Sequence, residues 1–309
     1  MVLSLKSSVS PDFILFAQHG WADTNHAIAQ LAQTLATPNT LVISPDLGYF
    51  QTWLWIEPLV RQVERIAIET VKRYPNIPIR IIGHSMGGLI WLEVLDRQPQ
   101  LREKIESFVL IGSPIGGADL ARFIDPLGIG IGIARDLGIN RRTIAQRLAR
   151  EIPTLIIAGD IDNGSDGTIT IESTRFEGAK FVLLPGISHA ALKNHFAAIE
   201  IIQDFWANRA ISTMTEPDFA SMLIERLRSI PGMTDGHRRG FHRAQTYLTF
   251  KGGITLRTWK NSLQIQHVFV GAGKEDYLWG GFVGWLHDRT LQEVLTTLQH
   301  ENSHLIKLL

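Results

Sequence analysis

The chain is organised around residues 80–89, which read Arg80-Ile81-Ile82-Gly83-His84-Ser85-Met86-Gly87-Gly88-Leu89. An apolar, β-branched run leads into Gly83 and predicts a buried strand, and the residues after Gly88 have the length and composition of a helix. Between them lies a G-x-S-x-G pattern. At such a turn the serine adopts a strained backbone conformation and its hydroxyl stands clear of the sheet, because the glycines leave room for the bend. We therefore predict an exposed hydroxyl at Ser85; the alternative is an ordinary strand-to-helix turn with a capping serine.

Apolar runs of strand length alternate with helical stretches through residues 13–208. Strands of continuous apolar character separated by helices are typical of a parallel sheet covered on both faces, so we predict an α/β fold. The polar candidate residues follow the carboxyl ends of these strands, where open α/β sheets bind their ligands. The predicted strands are 13–17, 41–44, 77–82, 107–112, 153–159 and 179–184.

The overall composition limits the classes of function. Lys plus Arg and Asp plus Glu number 30 each in 309 residues, so the charge does not favour nucleic acid as a partner. The chain has no cysteine, which excludes disulfides, thiolate metal sites and a cysteine nucleophile. The first ten residues lack a signal-peptide pattern, and no apolar run reaches the length of a membrane span. From these features we expect a soluble, cytoplasmic protein.

Two regions interrupt the alternation. Residues 118–151 carry apolar side chains with interspersed glycines, and two interpretations are equally favoured: a cap over the turn at Ser85, or a packed crossover helix with a loop. The composition shifts near residue 212, and tight turns separate three further strand patterns in a small α+β appendix. We therefore predict an α/β catalytic domain at 1–211 and an α+β domain of unknown role at 212–309. The strand patterns of the appendix are 245–250, 254–259 and 263–270.

A serine hydroxyl is a poor nucleophile unless a base takes its proton, and the base needs an acid to fix its tautomer. His189 follows the last predicted strand and a Pro-Gly turn, which makes it the best-placed base, whereas His195 lies in the following helix and is assigned a structural role. We prefer Asp166 as the acid, because the run after it can turn back towards the strand that leads to His189. Asp162, closer to the end of its own strand, is the alternative acid.

The developing oxyanion needs two backbone N–H donors. One is the N–H of Met86, the residue after the serine, and the other is expected in the loop after the first strand. His19-Gly20-Trp21 fits this loop, since Gly20 allows close backbone approach and the N–H of Trp21 is then the second donor. His19 is expected to support the loop and to transfer no proton, and His84 is assigned to packing on the far side of the turn.

Three motifs together resemble the α/β-hydrolase superfamily, and the resemblance covers roughly residues 12–208. The order Ser85, Asp166, His189 is the order of this superfamily. The segment Gly112-Ser113-Pro114-Ile115-Gly116-Gly117 is similar to a Gly-x-Pro-x-x-Gly loop of bacterial lipases, and the segment at 166–169 is similar to the Asp-Gly-x-Val segment that carries the acid in lipase-like members. The superfamily motifs are Gln18-His19-Gly20-Trp21, Gly83-His84-Ser85-Met86-Gly87-Gly88 and Gly186-Ile187-Ser188-His189.

The chain departs from the superfamily pattern in two ways. No antiparallel strands are visible before Phe13, so a compact version of the fold is expected. The usual acid position close to the strand end is held by Asp162, with Asp166 set later in the loop. The resemblance implies a serine hydrolase of carboxylic esters, with lipids among the candidate substrates, and needs no cofactor or metal.

These features leave several functions open. The first is an esterase or lipase whose apolar acyl pocket is lined by Trp53, Trp55, Met86 and the cap. A thioesterase or amidase would use the same triad, and a binding protein could keep the fold without turnover. Basic and aromatic residues at 237–260 could dock an anionic membrane surface, although solvated basic loops beside a small core are the simpler interpretation. A small-molecule or lipid ester is the expected partner.

Overall fold

The computed structural model of the chain describes residues 10–117, 132–211, 216–273 and 275–307. It divides into two compact units, Met1–Met214 and Thr215–Leu309. None of the described helices is both long and apolar enough to cross a membrane.

The first unit contains a six-stranded, wholly parallel sheet with the strand order β2-β1-β3-β4-β5-β6. Its strands are β1 Phe13–Gln18, β2 Thr40–Ile43, β3 Ile79–His84, β4 Ile105–Ile111, β5 Thr154–Asp160 and β6 Lys180–Pro185. Its helices are α1 Asn25–Leu35, α2 Ile56–Arg73, α3 Met86–Arg97, α4 Pro99–Arg102, α5 Ile133–Leu137, α6 Arg142–Ala149, α7 Ile171–Thr174, α8 His189–Leu192 and α9 Phe196–Ala207, and a 3₁₀ turn spans Gln51–Trp53. The predicted α/β class with a mostly parallel sheet is confirmed.

The strands are apolar throughout because both faces of the sheet are covered. Alternate residues of β1 enter two separate cores: Phe16 packs on the side of α2 and α3, whereas Leu15 packs on the side of α1 and α9. Ile81 and Ile82 of β3 divide in the same way. Packing on both faces holds the strands in place, and this fixes the positions of the loops that follow their carboxyl ends.

The region predicted as cap or crossover is described only in part, and residues 118–131 lie outside the described residues. From residue 132 onwards the chain forms α5 and α6. Their apolar side chains, among them Ile133, Leu137 and Leu148, are buried in the core that also holds α2 and α3. The described half of this region is thus a pair of packed helices.

The second unit is an antiparallel sheet with the strand order β7-β11-β10-β9-β8. Leu223, Leu227, Leu291 and Leu295 of its two α-helices share one core with the apolar residues of the strands. Its elements are α10 Phe219–Arg228, β7 Thr234–Asp235, β8 Gln245–Thr249, β9 Ile254–Lys260, β10 Gln266–Ala272, β11 Asp276–Val283 and α11 Asp288–Glu301, with 3₁₀ turns at Arg238–Arg243, Trp285–His287 and Ser303–Leu305.

Several basic residues of this unit are engaged within it. The guanidinium of Arg257, only 6% exposed, lies 4.4 Å from the ring centre of Phe241 and donates to the carbonyl of Gly273 at 2.8 Å. Lys260 Nζ lies 3.2 Å from Asp288 Oδ2. These contacts favour the simpler interpretation of the basic residues, in which they stabilise the small domain.

Candidate active site

Ser85 occupies a sharp turn between β3 and α3. Its φ of 55° and ψ of −127° lie in a region that side-chain-bearing residues rarely adopt. The strand pairing runs to the end of β3, and the N–H of Ser85 donates to the carbonyl of Ile111 at 2.8 Å, so the strained turn is anchored to the neighbouring strand. The glycines are required here, since a Cβ on Gly83 would lie 2.5 Å from the Cα of Gly88.

His189 stands at the first position of α8, after β6, and is joined to Asp166 by two hydrogen bonds. Its Nδ1 lies 2.6 Å from Asp166 Oδ2, and its backbone N–H donates to the Asp166 carbonyl at 2.9 Å. The Asp166 side chain is 2% exposed, and its second oxygen accepts the N–H groups of Thr168 at 2.9 Å and Ile169 at 2.7 Å. Three donors thus satisfy the buried carboxylate. The contact with Asp166 also fixes which ring nitrogen of His189 faces the carboxylate.

Asp162, the alternative acid, has a different set of contacts. Its Oδ1 accepts the N–H of Ser165 at 2.8 Å and the hydroxyl of the same residue at 2.9 Å. Asp160 closes the start of the loop, where its Oδ1 accepts the N–H of Gly164 at 2.9 Å. These two carboxylates therefore shape the loop that presents Asp166.

His195, assigned a structural role, caps α9 by accepting the N–H of Ala197 on Nδ1 at 3.2 Å.

The turn at Ser85 and the His189–Asp166 pair lie next to each other through Gly112. This residue follows Ile111, the partner of the Ser85 N–H, and a Cβ on Gly112 would lie 3.0 Å from His189 Nδ1 and 3.3 Å from Asp166 Oδ2. Among the described residues no hydrogen bond joins Ser85 Oγ to the His189 imidazole in this structure. Catalytic hydrogen bonds are often long in the unliganded state and tighten only around a substrate.

The loop after β1 packs directly on the turn. A Cβ on Gly20 would lie 2.8 Å from the Cβ of Ser85 and 3.0 Å from the backbone nitrogen of Met86, so only glycine fits this contact. Met86 is the first residue of α3, where the backbone N–H has no acceptor within the helix. The two backbone segments that carry the Met86 and Trp21 N–H groups therefore meet beside Ser85.

His19 uses both ring nitrogens to hold this loop. Nε2 accepts the N–H of Leu47 at 3.0 Å, so Nδ1 carries the hydrogen that is donated to the Gly20 carbonyl at 3.1 Å. Burial lowers the pKa of His19 below its ordinary value, which keeps the ring neutral as this hydrogen-bond pattern requires. The contacts fit the supporting role expected of His19.

The structure gives His84 a contact that sequence reasoning missed. Its ring lies 4.7 Å from the ring of His189, centre to centre, and its Nε2 lies 3.1 Å from the His189 carbonyl oxygen. The burial of His84 fits the packing role expected of it, but its expected position on the far side of the turn is wrong, since it packs against His189. Side-chain alternation along β3 was the available signal, since His84 shares a face with Ile82, on the side where Leu192 of α8 is buried.

The residues expected to form an acyl pocket differ in how much of their side chains is exposed. Trp53 is 41% exposed, and its ring lies 4.4 Å from that of Trp21, centre to centre. Trp55 is 48% exposed at the start of α2. The Met86 side chain, however, is wholly buried in the core beside α2 and α3, so Met86 offers its backbone to the site and no pocket surface.

Known proteins resemble the chain in sequence and in fold. Residues 9–131 match a family model described as serine aminopeptidase, S33. Monoglyceride lipase of Mus musculus is 24% identical over 252 residues, covering 60% of this chain and 82% of the lipase. Est1E of Butyrivibrio proteoclasticus, solved with ferulic acid, has a TM-score of 0.50 at 16% identity, covering 68% of this chain and 94% of Est1E. The Bacillus licheniformis lipase BlEst2 has a TM-score of 0.48 at 14% identity, covering 64% and 92% of the two chains.

The parallel sheet with a strained serine after its third strand is the architecture of an α/β hydrolase. The family model and the mouse relative agree with this class in sequence, and Est1E agrees with it in fold. The predicted resemblance to lipase- and esterase-like α/β hydrolases is confirmed.

Proposed function

We propose that the chain is a serine hydrolase that cleaves carboxylic esters through an acyl-enzyme intermediate. The observation that carries the proposal is the 2.6 Å contact between His189 Nδ1 and Asp166 Oδ2 beside the strained turn at Ser85. A histidine oriented by a buried carboxylate is the base that a serine hydroxyl requires. The mouse monoglyceride lipase relative supports an ester as the substrate class.

In the proposed first half-reaction, Ser85 Oγ attacks the acyl carbon while His189 Nε2 takes the hydroxyl proton. Asp166 accepts the hydrogen bond from Nδ1–H and stabilises the imidazolium that forms. The backbone N–H groups of Met86 and Trp21 donate to the oxyanion, and each such donor contributes about 10²- to 10³-fold in rate in comparable sites. The tetrahedral intermediate collapses when His189 returns the proton to the leaving alcohol.

In the second half-reaction water replaces the alcohol. His189 removes a proton from the water, whose oxygen attacks the acyl carbon of the ester to Ser85. The carboxylic acid departs, and the proton on His189 returns to Ser85 Oγ. No cofactor enters either step of the proposal.

The exposed indoles of Trp53 and Trp55 favour substrates with an apolar portion, such as a lipid ester. Thioesters and amides would pass through the same intermediate, so a panel of all three classes is needed.

The test compares wild type with Ser85→Ala on short p-nitrophenyl esters and on matched thioesters and amides. The proposal predicts ester turnover in wild type and a loss of at least about 10³-fold in kcat for the variant. A folded Ser85→Ala protein with wild-type ester turnover would rule the mechanism out. Wild-type protein that hydrolyses none of the three classes and does not react with a fluorophosphonate would favour a non-catalytic binding protein.

A further inference from the structure

His84 adjoins both the proposed nucleophile and the proposed base. It precedes Ser85 in the chain, and its side chain reaches across to the residue that would act as base. We infer that His84 is a positioning residue, which sets the distance between Ser85 and His189 through the hydrogen bond from its Nε2–H to the His189 carbonyl. This inference rests on the proposed function of the same site.

The direction of the hydrogen bond follows from the chemistry of its two ends. A carbonyl oxygen only accepts, so the hydrogen must lie on His84 Nε2, which is 3.1 Å away. His84 Nδ1 is buried and has no hydrogen-bond partner among the described residues. A neutral ring with one protonated nitrogen is therefore the form that fits, and burial, followed by the nearby His189, holds the pKa of His84 well below its ordinary value.

With this contact, His189 is fixed at three points. Its backbone N–H donates to the Asp166 carbonyl, its Nδ1 contacts the Asp166 carboxylate, and its backbone carbonyl accepts from His84. The first two bonds tie His189 to the acid loop, whereas only the third ties it to the strand that carries the nucleophile. The rings of His84 and His189, 4.7 Å apart and tilted by 39°, add a packing restraint on the same side.

The hydrogen bond from His84 to the His189 carbonyl has a kinetic consequence. A displacement of about 1 Å in a catalytic group costs on the order of 10²-fold in rate, even when substrate binding is unaffected. Loss of the His84 donor should therefore lower kcat and leave KM nearly unchanged. A purely structural role would lower the yield of folded protein without this separation of kcat from KM.

The experiment uses full-length protein and three variants. In His84→Gln the side-chain amide can place a donor near the position of imidazole Nε2, whereas in His84→Asn the donor is too short to reach the His189 carbonyl. His84→Phe keeps a ring for packing and removes the donor. Each variant is assayed for kcat and KM on a short p-nitrophenyl ester and for the rate of inactivation by a small fluorophosphonate. Circular dichroism and thermal unfolding establish that each is folded.

We expect His84→Asn and His84→Phe to lose about 10- to 100-fold in kcat and in inactivation rate, with KM within about threefold of wild type. His84→Gln should recover most of the lost rate. The inference is overturned if either donor-deficient variant folds and keeps kcat within about twofold of wild type, or if the Gln variant is as slow as the Asn variant. Because two donor-deficient variants are used, failure of one to fold leaves the comparison with Gln intact.

The outcome for Ser85→Ala separates this inference from the proposed function. If Ser85→Ala retains wild-type turnover, the proposed mechanism fails whatever the His84 variants do. If Ser85→Ala is inactive and the donor-deficient His84 variants are as fast as wild type, only the positioning role fails.

Discussion

His189 Nδ1 lies 2.6 Å from Asp166 Oδ2, although the two residues are 23 positions apart in the chain. The same pair is joined a second time, through the His189 N–H and the Asp166 carbonyl. The two residues are thus joined through their side chains and also through their main chains. The other carboxylate oxygen of Asp166 accepts hydrogen bonds from two backbone N–H groups. Such a pair fixes both the tautomer and the orientation of the imidazole before any substrate arrives.

Asp166→Asn should abolish most of the activity while preserving the fold. An amide in place of the carboxylate favours the wrong imidazole tautomer and cannot stabilise the imidazolium, so we expect kcat to fall by about 10³- to 10⁴-fold. Steady-state kinetics on a p-nitrophenyl ester measures this loss.

Asp162→Asn is the matched control, because it makes the same change in the same loop. Asp162 accepts hydrogen bonds from Ser165 and so stabilises the loop. Its replacement should lower the free energy of unfolding by about 1 kcal/mol and lower kcat much less than Asp166→Asn does. If the Asp162 variant lost activity as severely as the Asp166 variant, the assignment of the acid would be wrong.

Gly20→Ala should slow the enzyme by crowding the turn at Ser85. The added methyl would lie 2.8 Å from the Ser85 Cβ and 3.0 Å from the Met86 nitrogen, closer than side-chain carbons approach their neighbours. The β1–α1 loop must then move away from Ser85, and the Trp21 N–H moves with it out of its position as an oxyanion donor. We expect a fall of about 10²-fold in kcat, as for the loss of one oxyanion donor, measured with a short ester.

Gly138→Ala provides the control for this substitution. Gly138 lies in the same unit with an ordinary φ of −77°, and a Cβ there would meet its nearest neighbour at 3.4 Å. This variant should keep wild-type kcat. An equal loss in both variants would show that the effect of Gly20→Ala is not local to the site.

The strand, turn and helix around Ser85 could be predicted from sequence because both of their signals are local. Continuous apolar runs mark strands that are buried on both faces, and the glycines around Ser85 mark a bend that larger residues would block. The choice of the acid could be narrowed to two aspartates, because the loop that carries them follows a strand with an equally local signal. The choice between Asp162 and Asp166 depends on how the loop folds back, which is set by hydrogen bonds that sequence does not display.

Two features escaped prediction because they depend on tertiary contacts. The strand β11 contains Gly280 and Gly281, which usually indicate a break. In the structure these glycines make room for rings, since a Cβ on Gly280 would lie 2.4 Å from Phe269 and one on Gly281 would lie 2.6 Å from Trp279. The contact between His84 and His189 joins the end of β3 to the start of α8. Side-chain alternation indicates the face on which His84 lies, but its partner follows from the packing of α8 against the sheet.

The buried histidines should make the folded state sensitive to mild acid. His19 and His84 have pKa values lowered from the ordinary 6.5, mainly by burial. Below about pH 6.5 the unfolded chain therefore binds protons that the folded chain excludes, and the free energy of unfolding falls as the pH falls, by up to about 1.4 kcal/mol per pH unit for each histidine. Denaturant unfolding at about pH 7.5 and at about pH 5.5 measures this loss.

His84→Gln removes one of these titrating groups, so its stability should depend less steeply on pH over the same interval. The other histidines are common to both proteins and cancel in the comparison. Equal pH dependence in wild type and in the variant would contradict a neutral, buried His84.

Trp53→Ala should alter the preference for acyl chain length. Trp53 packs on the ring of Trp21, whose backbone N–H is the proposed oxyanion donor, and leaves 41% of its surface exposed. Removing this apolar surface should lower kcat/KM for a long-chain p-nitrophenyl ester by about 10-fold and affect an acetate ester little. Trp285→Ala, which removes an indole of 58% exposure from the second unit, is the control and should leave the chain-length profile unchanged.

The central claim is that Ser85 is the nucleophile, and covalent labelling tests it most directly. Wild-type protein is treated with a fluorophosphonate probe, digested, and analysed by mass spectrometry to locate the adduct. We predict a single adduct on Ser85, absent in Ser85→Ala and formed at least about 10²-fold more slowly in His189→Ala, because the hydroxyl then lacks its base. An adduct on another residue, or undiminished labelling of folded Ser85→Ala, would contradict the account.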